Sequence, residues 1–265
     1  MGRLRNTGSD VSGESRLNSM VIPRTYGRMG NYLFQVAATI GYAHRHGLEF
    51  SVPSTTSDPV NNPIYLQHLV NPKYKSQLPE VRVIERGHAY QTIPFQERWR
   101  IRNIVLDGYW QSEKYFSDCR RKVLLAFAFP WCQIPGTVSV HVRRGDYLRL
   151  AHKHPPVPKE WYDNAMSLFP GYTFLFFSDD MDWCRKTWGS SSKCHFSDEK
   201  DVVRDLVKIS WCEHHISSAS TFSWWGAWLN QNPIKRVIIP KRWFSEREEK
   251  KCDTKDIVPE TWERI

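Results

Sequence analysis

The sequence predicts an α/β protein whose C-terminal half is a doubly wound parallel sheet. Beyond residue 136, short β-branched or aromatic runs such as 137–142, 172–177 and 236–240 alternate with amphipathic stretches. That alternation implies parallel strands joined by helices. Near the N-terminus, a strand-like run at 20–24 passes through Gly27 and Gly30 into Leu33, Phe34, Ala37, Ile40 and Gly41, the spacing of a buried helix face. At 265 residues and 40% hydrophobic content the chain can bury sizeable cores, as one large domain or two smaller ones.

Taken in order, residues 1–18 are polar and contain Ser and Gly without an apolar stretch, so they read as a disordered leader. The strand at 20–24 leads into a helix over 32–46, which Gly47 ends as a C′ residue. A strand, a glycine loop and a helix N-terminus together let backbone N–H groups receive polar or anionic groups. The loop matches neither a Walker motif nor G-x-G-x-x-G. A strand follows at 50–52, a loop with Asn-Pro pairs at 54–74, and strands at 81–85 and 104–108. The last of these ends in Leu106-Asp-Gly-Tyr-Trp-Gln111, a polar-aromatic cluster suited to stacking a sugar ring. A helix over 115–129 buries Phe116, Val123, Leu124 and Phe127 and stops at Pro130. The prolines and glycine of 130–136 divide an N-terminal domain, 19–132, from a C-terminal one, 133–245. Residues 246–265 form a tail expected to pack back on both.

The C-terminal alternation runs strand 137–142, helix 159–168, strand 172–177, helix 181–188, strand 193–196, helix 200–211, strand 215–218, helix 222–230 and strand 236–240. In such sheets ligands bind beyond the carboxyl ends of the strands, where strand order reverses. The first of those ends carries His141, Arg143, Arg144 and Asp146. Alternation puts His141 and Arg143 on one face and tips Arg144 to the other. A guanidinium there can clamp a phosphate through two parallel hydrogen bonds, so this stretch points to an anionic, nucleotide-like ligand. The plain alternative is an ion pair of Arg144 with Asp146 that holds the turn. At Ser178-Asp-Asp180 the better reading of Asp180 is a helix cap. The hydroxyls of 218–223 open a helix, where they serve as an N-cap, as diphosphate donors, or both. Asp205 lies within a helix, where propensity alone makes it solvent-facing.

Thirty-seven basic against 28 acidic residues give a net charge of +9, which favours anionic partners. The basic residues are spread along the chain, which argues against a nucleic-acid partner. Six cysteines without a C-x-x-C pair read as reduced thiols, with no zinc or redox motif. No run approaches the roughly 20 apolar residues of a membrane span, leaving only peripheral association with a membrane. Twelve tryptophans suit both cores and aromatic-lined clefts.

Three motifs, Gly27-Arg-Met-Gly-Asn-Tyr-Leu-Phe-Gln35, His141-Val-Arg-Arg-Gly-Asp-Tyr147 and Ser220-Thr-Phe-Ser-Trp-Trp-Gly226, resemble those of the α-1,2-fucosyltransferases, glycosyltransferase family 11. The resemblance runs from about residue 20 to 244. It implies a GT-B fold, two Rossmann-like domains facing a cleft, with the acceptor side N-terminal and the donor side C-terminal. It also implies inverting transfer of L-fucose from GDP-β-L-fucose to the 2-hydroxyl of a galactose-terminated glycan, without a metal or other cofactor. On that resemblance Arg143 binds the donor pyrophosphate with help from Arg144, and His141 lies beside the guanine. Asp205 accepts two guanine N–H groups, and Thr221, Phe222 and Ser223 meet the phosphates. Gly27, Arg28, Gly30 and Asn31 match the loop that closes the cleft. Tyr32 stands where many members have glutamine, and Tyr32, Tyr109 and Trp110 are the candidate acceptor contacts. For the catalytic base, Asp146 is the nearest carboxylate, with His152, His154 and Glu160 also within the loop's reach; the choice stays open. Without the membrane anchor of the animal members, a soluble cytoplasmic enzyme is expected. The alternatives are transfer from the same donor to another acceptor, and a sugar- or nucleotide-binding module without catalysis.

Overall fold

Two all-parallel sheets organise the computed structural model, which describes residues 19–53, 64–71 and 78–265. The leader proposed at 1–18 and most of the 54–74 loop lie outside the described residues. In the N-terminal half, β1 (Met20–Pro23) runs into α1 (Met29–His46), and β2 (Glu49–Phe50), β3 (Glu80–Ile84) and β4 (Asn103–Asp107) follow. Their order across the sheet is β2-β1-β4-β3. Every residue of β1 is buried, which is why it reads apolar without alternation. From Tyr32 to Ala43, α1 is buried throughout, and Gly47 ends it in the left-handed region at φ 61°.

The helix expected over 115–129 is broken. Two 3₁₀ turns, Glu113–Tyr115 and Ser117–Cys119, precede α2 (Arg120–Phe127). Tyr115 and Phe116 are drawn into the core, and the backbone of Tyr115 lies so close to α1 that a side chain at Gly41 would collide with its carbonyl oxygen. Tertiary packing there overrides helix propensity.

The C-terminal half contains β5 (Ile134–Val142), α3 (Gly145–Arg149), α4 (Lys159–Ser167), β6 (Thr173–Ser178), α5 (Met181–Trp188) and β7 (Cys194–Phe196). The chain continues through α6 (Val202–Trp211), β8 (Cys212–Ile216), α7 (Thr221–Leu229), β9 (Val237–Ile239), α8 (Glu246–Glu249) and β10 (Glu263–Arg264). The sheet order is β7-β6-β5-β8-β9-β10. The chain grows outward from β5 to β7, then returns to β5's other side at β8. Strand order therefore reverses between β5 and β8, the point at which such sheets open a ligand crevice. Beyond residue 245 the tail adds the edge strand β10, with Glu263 in register with Ile238.

α7 locks the two halves together. Its Trp224 and Trp225 lie 4.4 and 5.0 Å from Phe34 of α1, and Trp225 and Trp228 lie 5.5 and 5.2 Å from Phe116. Such ring pairs each add about 0.5–1.5 kcal/mol beyond the area they bury. The tail closes the cluster from behind, with Trp224 donating its indole N–H to the Ile257 carbonyl at 2.7 Å. This packing sets the N-termini of α1 and α7 face to face. A Cβ on Gly30 would meet the Thr221 hydroxyl and lie 2.7 Å from the Phe222 nitrogen, so only glycine permits that approach.

All six cysteines are free. Among the described residues, no helix is long and apolar enough to cross a membrane.

Candidate active site

A cleft of about 680 Å³ opens over the β5–β8 reversal and is walled by both halves. From the C-terminal half it receives His141, Arg143, Asp146, Asp205, Thr221 and Phe222; from the N-terminal half come Gly27, Arg28, Gly30, Asn31 and Tyr109. The sequence-predicted residues thus converge from five separate segments.

Arg143, at the tip of β5, is its cationic centre. Its guanidinium pairs with Asp146 at 2.6 Å and with Asp179 at 2.8 Å, and its side chain is 15% exposed. Asp179 also accepts the backbone N–H groups of Arg144 and Gly145 at 2.9 and 3.1 Å. A side chain at Gly145 would strike that carboxylate, which explains the glycine within the motif. Asp146 reaches across the cleft as well, its second oxygen 3.4 Å from Arg28. Two carboxylates therefore fix the guanidinium before any ligand arrives.

His141 is buried and hydrogen-bonded through Nδ1 to the Ser218 hydroxyl at 2.7 Å. Burial, reinforced by Arg143, pushes its pKa down to about 3, so the ring is neutral at physiological pH. Phe222 lies 5.5 Å from it. Asp205, in the first turn of α6, accepts the Ser197 hydroxyl at 2.6 Å. Burial raises its pKa. It lines the cleft and does not face bulk solvent. Ser220 is the N-cap of α7 but makes no side-chain capping bond, so its hydroxyl stays available at a helix N-terminus.

Four expected contacts do not reach the cleft. Arg144 turns to the opposite face, as strand alternation required, pairing with Asp180 at 2.9 Å and lying 4.0 Å over the Trp183 ring. Ser223 is buried, and its hydroxyl donates to the Ser218 and Ser220 carbonyls. Tyr32 is 2% exposed within α1. Trp110 is 1% exposed, with left-handed φ of 53°. Glu85 imposes that turn by accepting the N–H groups of Tyr109 and Trp110 at 2.6 and 2.9 Å. The indole is thereby driven against Tyr115, 5.3 Å away, and Tyr109 is left on the cleft wall. Asp180 does cap α5, accepting from the Trp183 nitrogen. The Asp-x-Asp it forms with Asp182 does not line the cleft.

Several cleft residues escaped the sequence reading. Asp179 was hidden in a stretch that also caps a helix. Gln111, which fixes Asn31 by donating to its side-chain oxygen at 2.9 Å, lay in the polar-aromatic cluster but was given no role of its own. His88, Lys200 and Phe244 carry no local pattern and reach the cleft only through folding. Among the described residues, no three His, Cys, Asp or Glu side chains are grouped to hold a metal ion.

The chain is 32% identical over 180 residues to an α-1,2-colitosyltransferase of Escherichia coli, covering 60% of this chain and 61% of that protein. It is 23% identical over 252 residues to the mouse (Mus musculus) galactoside 2-α-L-fucosyltransferase Sec1, covering 78% and 63%. The matched region thus spans about six-tenths of the length of each of these relatives. Among solved structures, POFUT1 in complex with GDP-fucose aligns with a TM-score of 0.51 at 10% identity, over 84% of this chain and 98% of that one. That likeness establishes the fold as the GT-B arrangement of two facing Rossmann-like halves. The model of glycosyl transferase family 11 matches residues 101–265, a span that includes β5, the Arg143 cluster and the start of α7, and the chain accordingly belongs to that family.

Proposed function

We propose that the protein transfers L-fucose from GDP-β-L-fucose to the 2-hydroxyl of a galactose-terminated glycan, with inversion and without a metal. The observation that carries this reading is Arg143, pre-oriented by Asp146 and Asp179 beside the free N-terminus of α7. A pyrophosphate placed there meets a two-pronged cation, backbone N–H groups and the hydroxyls of Ser220 and Thr221. Charge developing on the leaving GDP would fall on donors already fixed in position, usually the largest catalytic term. Those donors take the role a divalent cation would otherwise fill.

In this reading guanine lies against Asp205, which lines the cleft. The Asp205 carboxylate, held on one side by Ser197, can accept the two N–H groups on guanine's Watson–Crick edge. Adenine offers an acceptor at the same place, so the carboxylate would repel it. Neutral His141 and the Phe222 ring would border the nucleoside without adding charge. Arg28, bound to Asp146 across the cleft, would draw the N-terminal half over the donor.

The activities for which these relatives are named support a sugar attached α-1,2. One of them favours a second donor, since colitose is L-fucose lacking the 3-hydroxyl. The test is thermal stabilisation by GDP against ADP, UDP and GMP in EDTA, followed by transfer assays with GDP-fucose and GDP-colitose on galactosides. Binding to the folded state raises its melting temperature by mass action. A GDP-selective shift that survives EDTA, with fucosyl transfer, supports the reading. A shift without turnover of either donor would favour a binding module.

A further inference from the structure

The cleft contains a row of rings that none of the donor contacts employs. His154, in the loop after α3, stacks on Tyr147 at 4.8 Å. Tyr147 itself lies 5.3 Å from the Arg143 guanidinium and is anchored by donating its hydroxyl to the Ala219 carbonyl. On its other side His154 packs edge-on against Phe244 at 5.0 Å. Beyond Phe244 stands His88 of the N-terminal wall, 5.6 Å away. The imidazole of His154 is thus two ring contacts from the proposed pyrophosphate site, on the side that faces the N-terminal half.

An attacking hydroxyl needs a group in the cleft that can take up its proton. The carboxylates nearest the strand tip are already engaged by cations and backbone N–H groups. Asp146 is bound by Arg143 and Arg28 on its two oxygens. Asp179 is bound by Arg143 and by two backbone N–H groups. Glu85 spends both oxygens on Tyr109 and Trp110 and does not line the cleft. His154 and His88 both line the cleft with a buried Nδ1 that has no hydrogen-bond partner, and of the two it is His154 that stacks on the ring beside Arg143. A buried polar atom left unpaired costs about 1–3 kcal/mol, so a partner brought by the substrate would relieve it.

We propose that His154 is the general base of the transfer, an assignment that rests on the fucosyl-transfer reading above. As the acceptor oxygen bonds to the anomeric carbon, its proton passes to an imidazole nitrogen. The bond from that carbon to the pyrophosphate breaks, its electron pair leaves on GDP, and the imidazolium later returns the proton to solvent. The ring meets Tyr147 and Phe244 directly. The charged groups around it are the adjacent Lys153, Asp146 of α3, Arg143 at the tip of β5, and Glu248 of α8. Burial first, then Lys153, holds its pKa below the ordinary histidine value, which keeps the lone pair free at neutral pH.

The test uses the full chain carrying H154Q or H154A, with H88A in parallel. Transfer from GDP-fucose to a galactoside is followed from pH 5 to 9, and the melting shift by GDP is recorded for each protein. In the wild type, kcat/KM should fall on the acid side as the imidazole protonates. Both His154 variants should lose about 10²–10⁴-fold in kcat and lose that acid limb, while the GDP shift remains. A His154 variant within threefold of wild type, or one that keeps the acid limb, overturns the assignment. So does an H88A protein that loses the limb instead, or loss of the GDP shift in both His154 variants, which would mark the ring as structural. A wild-type chain that turns over no GDP-fucose removes the transfer reading, and the base with it.

Discussion

The Nδ1 of His141 and the hydroxyl of Ser218 lie 2.7 Å apart, and their hydrogen bond spans the β5–β8 reversal on which the cleft is built. One partner ends β5 and the other follows β8, so the bond fixes the spacing of the two strand tips. S218A would leave a buried ring nitrogen unpaired, at a cost of about 1–3 kcal/mol. Urea denaturation should register that loss, and GDP affinity should fall with it.

Arg143 is held by carboxylates yet, in the proposed mechanism, serves a ligand. R143A should lower transfer by 10²-fold or more, in the range set by removing one fixed donor from a transition-state charge. R143K should not restore it, because an ammonium cannot span Asp146, Asp179 and a phosphate in one plane. Steady-state kinetics on the two variants, with circular dichroism to confirm the fold, checks both statements. Near-normal turnover in R143A would refute the phosphate role.

If Asp205 accepts guanine N–H groups as proposed, such a charge-assisted hydrogen bond is worth about 1.5–3 kcal/mol. D205A should therefore weaken GDP binding by roughly ten- to more than a hundredfold and narrow its preference over ADP. Calorimetric titration against both nucleotides would measure this. A fall in melting temperature with unchanged GDP affinity would identify the Ser197–Asp205 bond as purely structural.

Gly30 permits the α1–α7 approach. The methyl of G30A would press on the Thr221 hydroxyl and on backbone at Phe222, and overpacking of this kind typically costs about 1–3 kcal/mol. Because the strain falls on the helix start at the proposed donor site, KM for GDP-fucose should rise along with the loss in stability. Chemical denaturation and donor titration together separate this outcome from simple unfolding.

Stability should depend on pH through two buried groups and one half-buried one. His141 is held at about 3 and His215 well below the ordinary 6.5, both mainly by burial. The unfolded chain protonates them near 6.5 and the folded chain does not, so stability is lost as pH falls below 6.5. Glu85 acts in the opposite sense. Burial, outweighing the two backbone N–H groups that favour its charged form, raises it from 4.5 to about 7, so its contribution is complete below 4.5 and is lost as pH rises toward 7. One proton corresponds to about 1.4 kcal/mol per pH unit. E85Q should therefore steepen the rise in unfolding free energy between pH 4.5 and 6.5 by about that slope. Urea titrations at half-unit intervals would detect it; an unchanged slope would show that Glu85 does not retain its proton.

By itself the sequence determined the parallel α/β class, most strand and helix positions, and the identity of the cationic centre. Periodicities of 2 and 3.6 report which face each segment buries, and glycines and prolines report where it must stop. The turn at Arg143 and the helix start at Thr221 were legible because both depend on neighbours within a few residues. Tertiary structure decided which of these side chains meet. Arg144 and Ser223 lie one or two residues from cleft residues, yet strand alternation and the α7 turn aim them elsewhere. Trp110 was lost to the core because a carboxylate 25 residues earlier sets its backbone. The row from Tyr147 through His154 and Phe244 to His88 draws on parts of the chain up to 156 residues apart. No local pattern encodes such a row; it arises when the α7 tryptophans bind the two halves into one core.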